Sequence, residues 1–257
     1  MNDRRSIGCA FVAVAAFVVT FGGCSGSDDA VPPTVPATTV STVAPVTVPP
    51  PPDRIDAYFG ALGDPAVEPS TVAVGAAALY LEHRRQAGAV LGRTASVVPG
   101  SSDASVRVCT DGACAVVDVQ ALDPATGLVS DVLVDGRSVT GRIAGNGPLD
   151  ATDGVGARVL TAYVTGEEHL VVSLVIENSA EVDVEVFPFA AVFRPAGSGA
   201  GIEASGTFGA ARIAPAASST LVLVFDTVEL AGRIGLRGLL ADGLDVSFDV
   251  EVPPAAS

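Results

Sequence analysis

Two histidines, a cysteine pair beside a tight turn and two rows of carboxylates are the side chains of this 257-residue chain best suited to chemistry. His83 stands in "LYLEHRRQ", with no acid or nucleophile beside it in sequence to make it a general base. A histidine at the boundary of a helix stripe, making one hydrogen bond, accounts for it. His169 follows Glu167 and Glu168, an order that a carboxylate–histidine metal site could use, although a polar turn before a strand explains all three. Glu181, Asp183 and Glu185 form one alternating acidic row, and Asp245, Asp249 and Glu251 another. Paired carboxylates can hold calcium or hydrolyse a glycoside. The same alternation is also what the wet face of any sheet requires. "LDATDG" has two aspartates three apart, without the ligand spacing of an EF-hand loop.

Other mechanisms lack their residues. The chain has no G-x-S-x-G, and its fourteen cations are all arginine, so a phosphate-binding P-loop has no lysine. With no tryptophan and only Tyr58, Tyr80 and Tyr163, a carbohydrate stacking platform is poorly supplied. Tyr163 alternates with Val159 and Thr161, which places it in a strand core; Phe187 and Phe189 flank Pro188 as either core or an exposed edge. The expectation is therefore no catalytic residue, no metal site and no cofactor. A net charge of −15 argues against nucleic acid as a partner.

Cys109 and Cys114 frame Asp111-Gly112 in "VRVCTDGACAVVDV", a strong two-residue hairpin signal. Counting outward, Thr110 faces Ala113 as a hydrogen-bonded pair, and Cys109 faces Cys114 at a non-hydrogen-bonded position. Cα atoms there lie about 4.5 Å apart, within reach of a disulfide. Four intervening residues are not the spacing of a redox or zinc pair, so a structural staple is expected.

The elements that would position these residues fall into two groups. Asp53 can cap a first helix carrying Ile55, Tyr58, Phe59 and Leu62 on one face. A second, from about Ser70, spaces Val72, Ala76, Leu79, Tyr80, Ala87 and Val90 as a stripe. From Val106 the period becomes two, and a four-stranded antiparallel meander is expected over about residues 105 to 143, with a second Asp-Gly turn at Asp135 and Gly136. Residues 53 to 146 thus read as an α+β domain. "AGNGPLDATDG" is a turn-rich break. Beyond it, strands are expected near 157–164, 169–177, 181–194, 202–213, 219–226, 232–239 and 244–252, an all-β sandwich over residues 147 to 257.

"LVVSLVIENSAEVDVEV", a strand ending in Asn178 before a polar turn and another strand, and "IAPAASSTLVLVFD", with a turn at Pro215 leading to Asp226, carry a resemblance. Over about residues 155 to 253 the chain resembles the immunoglobulin-like domain of the mycobacterial immunoprotective extracellular protein family. Ala216 replaces the usual glycine of that turn. The resemblance implies an immunoglobulin-like sandwich in an envelope or secreted binding protein, with no catalytic residues to carry over.

The first 23 residues read as a signal peptide: Arg4 and Arg5, an apolar run from Ile7 to Phe21, then Gly22, Gly23 and Cys24. Fifteen residues fall short of the ~20 that span a bilayer. The ending resembles a bacterial lipobox, which makes Cys24 the lipidated residue, with an uncleaved signal anchor and plain secretion as the alternatives. Residues 24 to 52, rich in Pro, Thr and Val, read as an extended stalk able to reach at most roughly 90 Å at ~3.1 Å per residue. Together these features point to a non-catalytic lipoprotein, lipid-anchored in the cell membrane and facing the extracellular or cell-wall side. It would act as a binding or structural module, with an envelope protein or a small ligand as partner. A small-ligand or lipid carrier and a carboxylate-based envelope hydrolase are the alternatives.

Overall fold

The computed structural model describes residues 52–256. The expected signal peptide, Cys24 and nearly all of the expected stalk lie outside the described residues. The described part is mostly antiparallel β-structure, with two helices at its start, and belongs to one compact unit with two apolar cores.

Helix α1 (Pro52–Gly63) buries Ile55, Tyr58, Phe59 and Leu62, the stripe that the spacing foretold. Helix α2 (Gly75–Leu91) begins later than expected. Pro69–Thr71 make a single 3-10 turn ending at Val72, and Val74 is extended; the two exchange backbone hydrogen bonds with Val129. The helix buries Ala76, Ala77, Tyr80, Leu81 and His83, so its covered surface is wider than the expected stripe, which included Val72, Ala87 and Val90.

The first sheet has five antiparallel strands in sequential order, where four were expected. They are β1 (Ser96–Pro99), β2 (Ser105–Thr110), β3 (Ala113–Leu122), β4 (Val129–Val134) and β5 (Arg137–Ser138). The extra strand β1 adds to the edge of β2. Asp111-Gly112 and Asp135-Gly136 both have positive φ at each residue, the conformation that a two-residue hairpin turn needs. Cys109 pairs with Cys114 in the register read from the turn, and the two are disulfide-bonded with Cα atoms 4.0 Å apart. Both helices cover one face of this sheet. Tyr58, Val117, Val129 and Val132 lie in that interface with no exposed surface.

Residues 143 to 145 belong to the second half of the fold. Strand β6 (Ile143–Gly145) and β7 (Asp150–Thr152) both pair with β8 (Val155–Val164), which pairs with β9 (Leu170–Asn178). "LDATDG" is thereby the β7–β8 hairpin, turned at Asp153-Gly154, and its Asp150 carboxylate accepts the Asp249 backbone N–H at 2.7 Å. The expected strand 181–194 is two strands, β10 (Val184–Val186) and β11 (Val192–Pro195). They are parted by a 3-10 turn at Pro188, which cannot donate to a ladder.

Strand 202–213 is likewise split, into β12 (Ile202–Phe208) and β13 (Arg212–Ile213). The chain ends with β14 (Ala217–Phe225), β15 (Gly232–Leu240) and β16 (Asp245–Val252). β12 pairs with β11 through Ile202 and Glu203 and with β14 from Ala204 onward, with a bulge between Ala204 and Gly206, so one strand serves both sheets. Between the sheets, Val172, Leu174, Leu221 and Leu223 meet Phe193, Ile234, Leu236, Phe248 and Val250. Fully burying each such side chain contributes roughly 1.5–3 kcal/mol.

Asn178 explains why the end of β9 holds the sandwich together. Buried, it donates from Nδ2 to the carbonyls of Val182 (2.9 Å) and Ile213 (3.0 Å) and accepts the Ala180 N–H at 3.0 Å, joining three segments. Ala216 has φ 57°, a left-handed conformation that disfavours any Cβ.

The disulfide closes a short loop, for which the chain-entropy estimate is about 2 kcal/mol. Replacing Cys109 and Cys114 by serine is expected to reduce amide-exchange protection in β2 and β3 by about that amount, leaving β14 to β16 unchanged. Unaltered protection in β2 and β3 would show that the staple is not stabilising.

Candidate binding groove

The site begins with one extra residue in β8. Val159 pairs with Leu174 and Thr161 with Ser173, leaving Leu160 as a bulge. A bulge reverses which side chains face which way. Val155, Ala157 and Val159 point into the sandwich, as do Ala162 and Val164, while Thr161 and Tyr163 turn to the opposite face, toward α2. Strict alternation would have kept Val159, Thr161 and Tyr163 together. Tyr163 is buried as expected, but in the helix-side core.

Helix α2 approaches closely because β6 ends in Gly145. A Cβ there would lie 2.6 Å from Leu79 Cδ2. Against this surface the rings of Tyr80 and Tyr163 meet edge to face, centroids 5.4 Å apart, and His83 tilts on Tyr163 at 5.5 Å. The Arg142 guanidinium lies 5.3 Å from the Tyr163 centroid and donates to the Val164 carbonyl. Burial pushes the Tyr163 hydroxyl up to about 12, with smaller effects from neighbouring charges.

A directed chain of hydrogen bonds crosses the same contact. The fully buried Thr161 hydroxyl donates to Gln86 Oε1 (2.9 Å), so it accepts from His83 Nδ1 (3.0 Å), which must carry the proton. Gln86 Nε2 donates to Glu82, whose second oxygen accepts from Arg85 Nε at 2.8 Å. Burial, aided by the Arg84 charge, lowers the His83 pKa to about 4. A hydroxyl beside an imidazole resembles a nucleophile and its base. Here the hydroxyl has no access to solvent, its proton is directed to an amide, and the imidazole is a poor base. The pair is structural, and His83 is a core residue with one bond.

Beside this contact runs a groove of about 680 Å³. Its walls come from the end of α1, the loop that follows it, the solvent side of α2 and the turn after α2, with Thr110, Tyr163 and Thr165 opposite. Ala61, Leu62, Val67, Ala87 and Leu91 give it an apolar character, and Tyr80, His83 and Arg84 line the part nearest β8. Three arginines line it, Arg84, Arg85 and Arg93, against the single carboxylate of Asp64. Arg85 is paired with Glu82 at 2.6 Å and Arg93 with Asp111 at 2.7 Å. Arg84 has no acidic partner among the described residues; its guanidinium lies 5.8 Å from the Tyr80 centroid, and its buried Nε makes no hydrogen bond. A second depression, about 900 Å³, lies on β15 and β16; Arg233 there is bound to Asp249 at 2.8 Å, and Arg194 shares its lining with the carboxylates of Asp249 and Glu251.

The other sequence candidates lie elsewhere. Glu181, Asp183, Glu185, Asp245, Asp249 and Glu251 are spread along the wet side of β10 and β16 and the turn before β10; Glu185 meets Arg212 at 3.5 Å. Asp249 and Glu251 both line the depression on β15 and β16, and the other four do not. His169 Nδ1 is 3.1 Å from Asp226, without Glu167 or Glu168. Among the described residues no three His, Cys, Asp or Glu side chains gather as a metal would require. Phe189 is 72% exposed beside half-buried Phe187. No family description, curated protein or solved structure matches this chain.

Sequence reasoning missed Arg84 and the orientation of Tyr163 in the groove, and the buried Thr161 behind them. A signal for the first exists in the i, i+4 spacing of Tyr80 and Arg84, which stacks a cation over a ring on one helix face.

His83 gives stability a pH dependence. The unfolded chain takes up this proton near pH 6.5 and the folded chain only near 4, so the unfolded state binds more protons between those values and stability falls as pH falls. The loss reaches roughly 3 kcal/mol at and below pH 4. His83→Gln is expected to remove this component, seen as the wild-type minus variant difference in unfolding free energy between pH 7 and 4. A difference that stays constant with pH would contradict the buried neutral imidazole.

Proposed function

We propose that this chain is a cell-envelope lipoprotein that carries a non-catalytic binding module on a stalk. Residues 1–23 act as the signal, lipid on Cys24 holds the chain to the outer side of the cell membrane, and residues 24–52 extend the folded head away from it. The β-sandwich is, in this reading, an immunoglobulin-like domain. Two antiparallel sheets, the bracing role of Asn178 and the Pro215–Asp226 strand entry support that assignment.

One observation favours binding over a purely structural role. The groove beside α2 combines apolar walls with an arginine that no acid of the described residues neutralises. A cation without a counter-ion beside apolar walls is a combination that an amphiphilic anion would complement. The head would therefore present its site at the base of the sandwich sheet that β8 and β9 form.

Native mass spectrometry of the full chain, gently extracted from its own envelope, examines both parts of the proposal in one spectrum. The expected protein mass starts at Cys24 with added lipid, together with a retained small-molecule mass that Ala87→Phe, which fills the groove, removes. An unmodified chain beginning at Met1 would refute the anchor, and bare protein in wild type and variant alike would refute the binding role.

A further inference from the structure

We infer that the groove beside α2 receives a singly charged carboxylate with an apolar body, its head group on Arg84; this rests on the binding role proposed above. A guanidinium remains charged at any ordinary pH; Arg84 lies over the Tyr80 ring, and near it stand the raised Tyr163 hydroxyl and the His83 imidazole, both neutral at pH 7. Its buried Nε lacks an acceptor. A carboxylate in the groove answers the missing charge partner of the Arg84 guanidinium.

The number of free charges sets the charge of the ligand. Arg85 and Arg93 also line the groove, but their guanidinium groups are engaged by Glu82 and Asp111. One unpaired cation matches a monoanion; a phosphate dianion would leave a second charge uncompensated beside Asp64. The charge of the whole chain selects against small hydrophilic acids. At −15 the protein repels anions at long range, so affinity must come from contact inside the groove. Ala61, Leu62, Ala87 and Leu91 supply that contact to an apolar body, and about 680 Å³ lies within the range that holds an extended small molecule.

The test uses the full chain held in lipid nanodiscs, with [1-13C]decanoate, decan-1-ol and decyl phosphate as probes and protein-free nanodiscs as the partition reference. Decanoate is expected to show a saturable site, one per chain, that binds it more tightly than either of the other probes. Arg84→Gln should weaken decanoate about tenfold or more, as loss of a charged hydrogen bond implies, while leaving decan-1-ol unchanged. Arg84→Lys should recover part of the loss, and Ala87→Phe should abolish the site.

Equal affinity for decanoate and decan-1-ol on the wild-type chain overturns the inference, and this comparison needs no variant to fold. Tighter binding of decyl phosphate overturns the single-charge assignment. Decanoate binding indifferent to Arg84→Gln overturns the role of that residue. A retained envelope ligand that lacks a carboxylate yet is lost in Ala87→Phe overturns the ligand class but preserves the groove as a binding site. Absence of both decanoate binding and any retained mass overturns the inference together with the binding role.

Discussion

The extra residue at Leu160 is the constraint from which the candidate site follows. A strand that alternated without interruption from Val155 to Val164 would send Thr161 and Tyr163 into the sandwich with Val159, where their polar groups would meet only Leu, Ile and Val. The bulge lets one strand serve two cores in succession. Its first half completes the sandwich, and its second half keeps Ala162 and Val164 inward while offering a hydroxyl and a phenol to α2. Gly145 on the neighbouring strand permits the helix to come close enough to use them.

Helix α2 is consequently covered on two sides. Ala76, Ala77 and Leu81 belong to the core shared with the five-stranded sheet, and His83 and Tyr80 reach the outer face of β8. A helix in that position must bury polar atoms, and the His83–Thr161–Gln86–Glu82 series satisfies them in a fixed direction. Arg84 is the exception in the same turn of helix, a cation whose neighbours neither neutralise it nor accept its Nε proton. Arg54, Arg107, Arg137, Arg142, Arg194 and Arg237 also lack an acid at salt-bridge distance among the described residues, so what sets Arg84 apart is its place in the groove. The two arginines that share its groove are both engaged.

Much of the architecture was legible because it depends on local rules. The α1 stripe, the Asp-Gly turns, the cysteine register and the alternation of Val246, Phe248 and Val250 each follow from a period or a turn type. Departures came where a long-range contact overrode a local preference. Val72 to Val74 left the helix to pair with Val129, Pro188 divided a strand, and residues 143 to 145 joined β8 instead of the meander. The groove was the least legible part, since it arises from a bulge that has no fixed sequence signature and from an arginine whose importance lies in what does not surround it.

Nuclear Overhauser contacts of the Tyr163 ring, measured on the full chain, test the account at its centre. Contacts to the Tyr80 ring and the His83 imidazole are predicted, because the bulge turns Tyr163 toward α2. Contacts instead to the methyl groups of Val172 and Leu174, inside the sandwich, would mean that the strand alternates without a bulge and that the groove lacks the wall assigned to it.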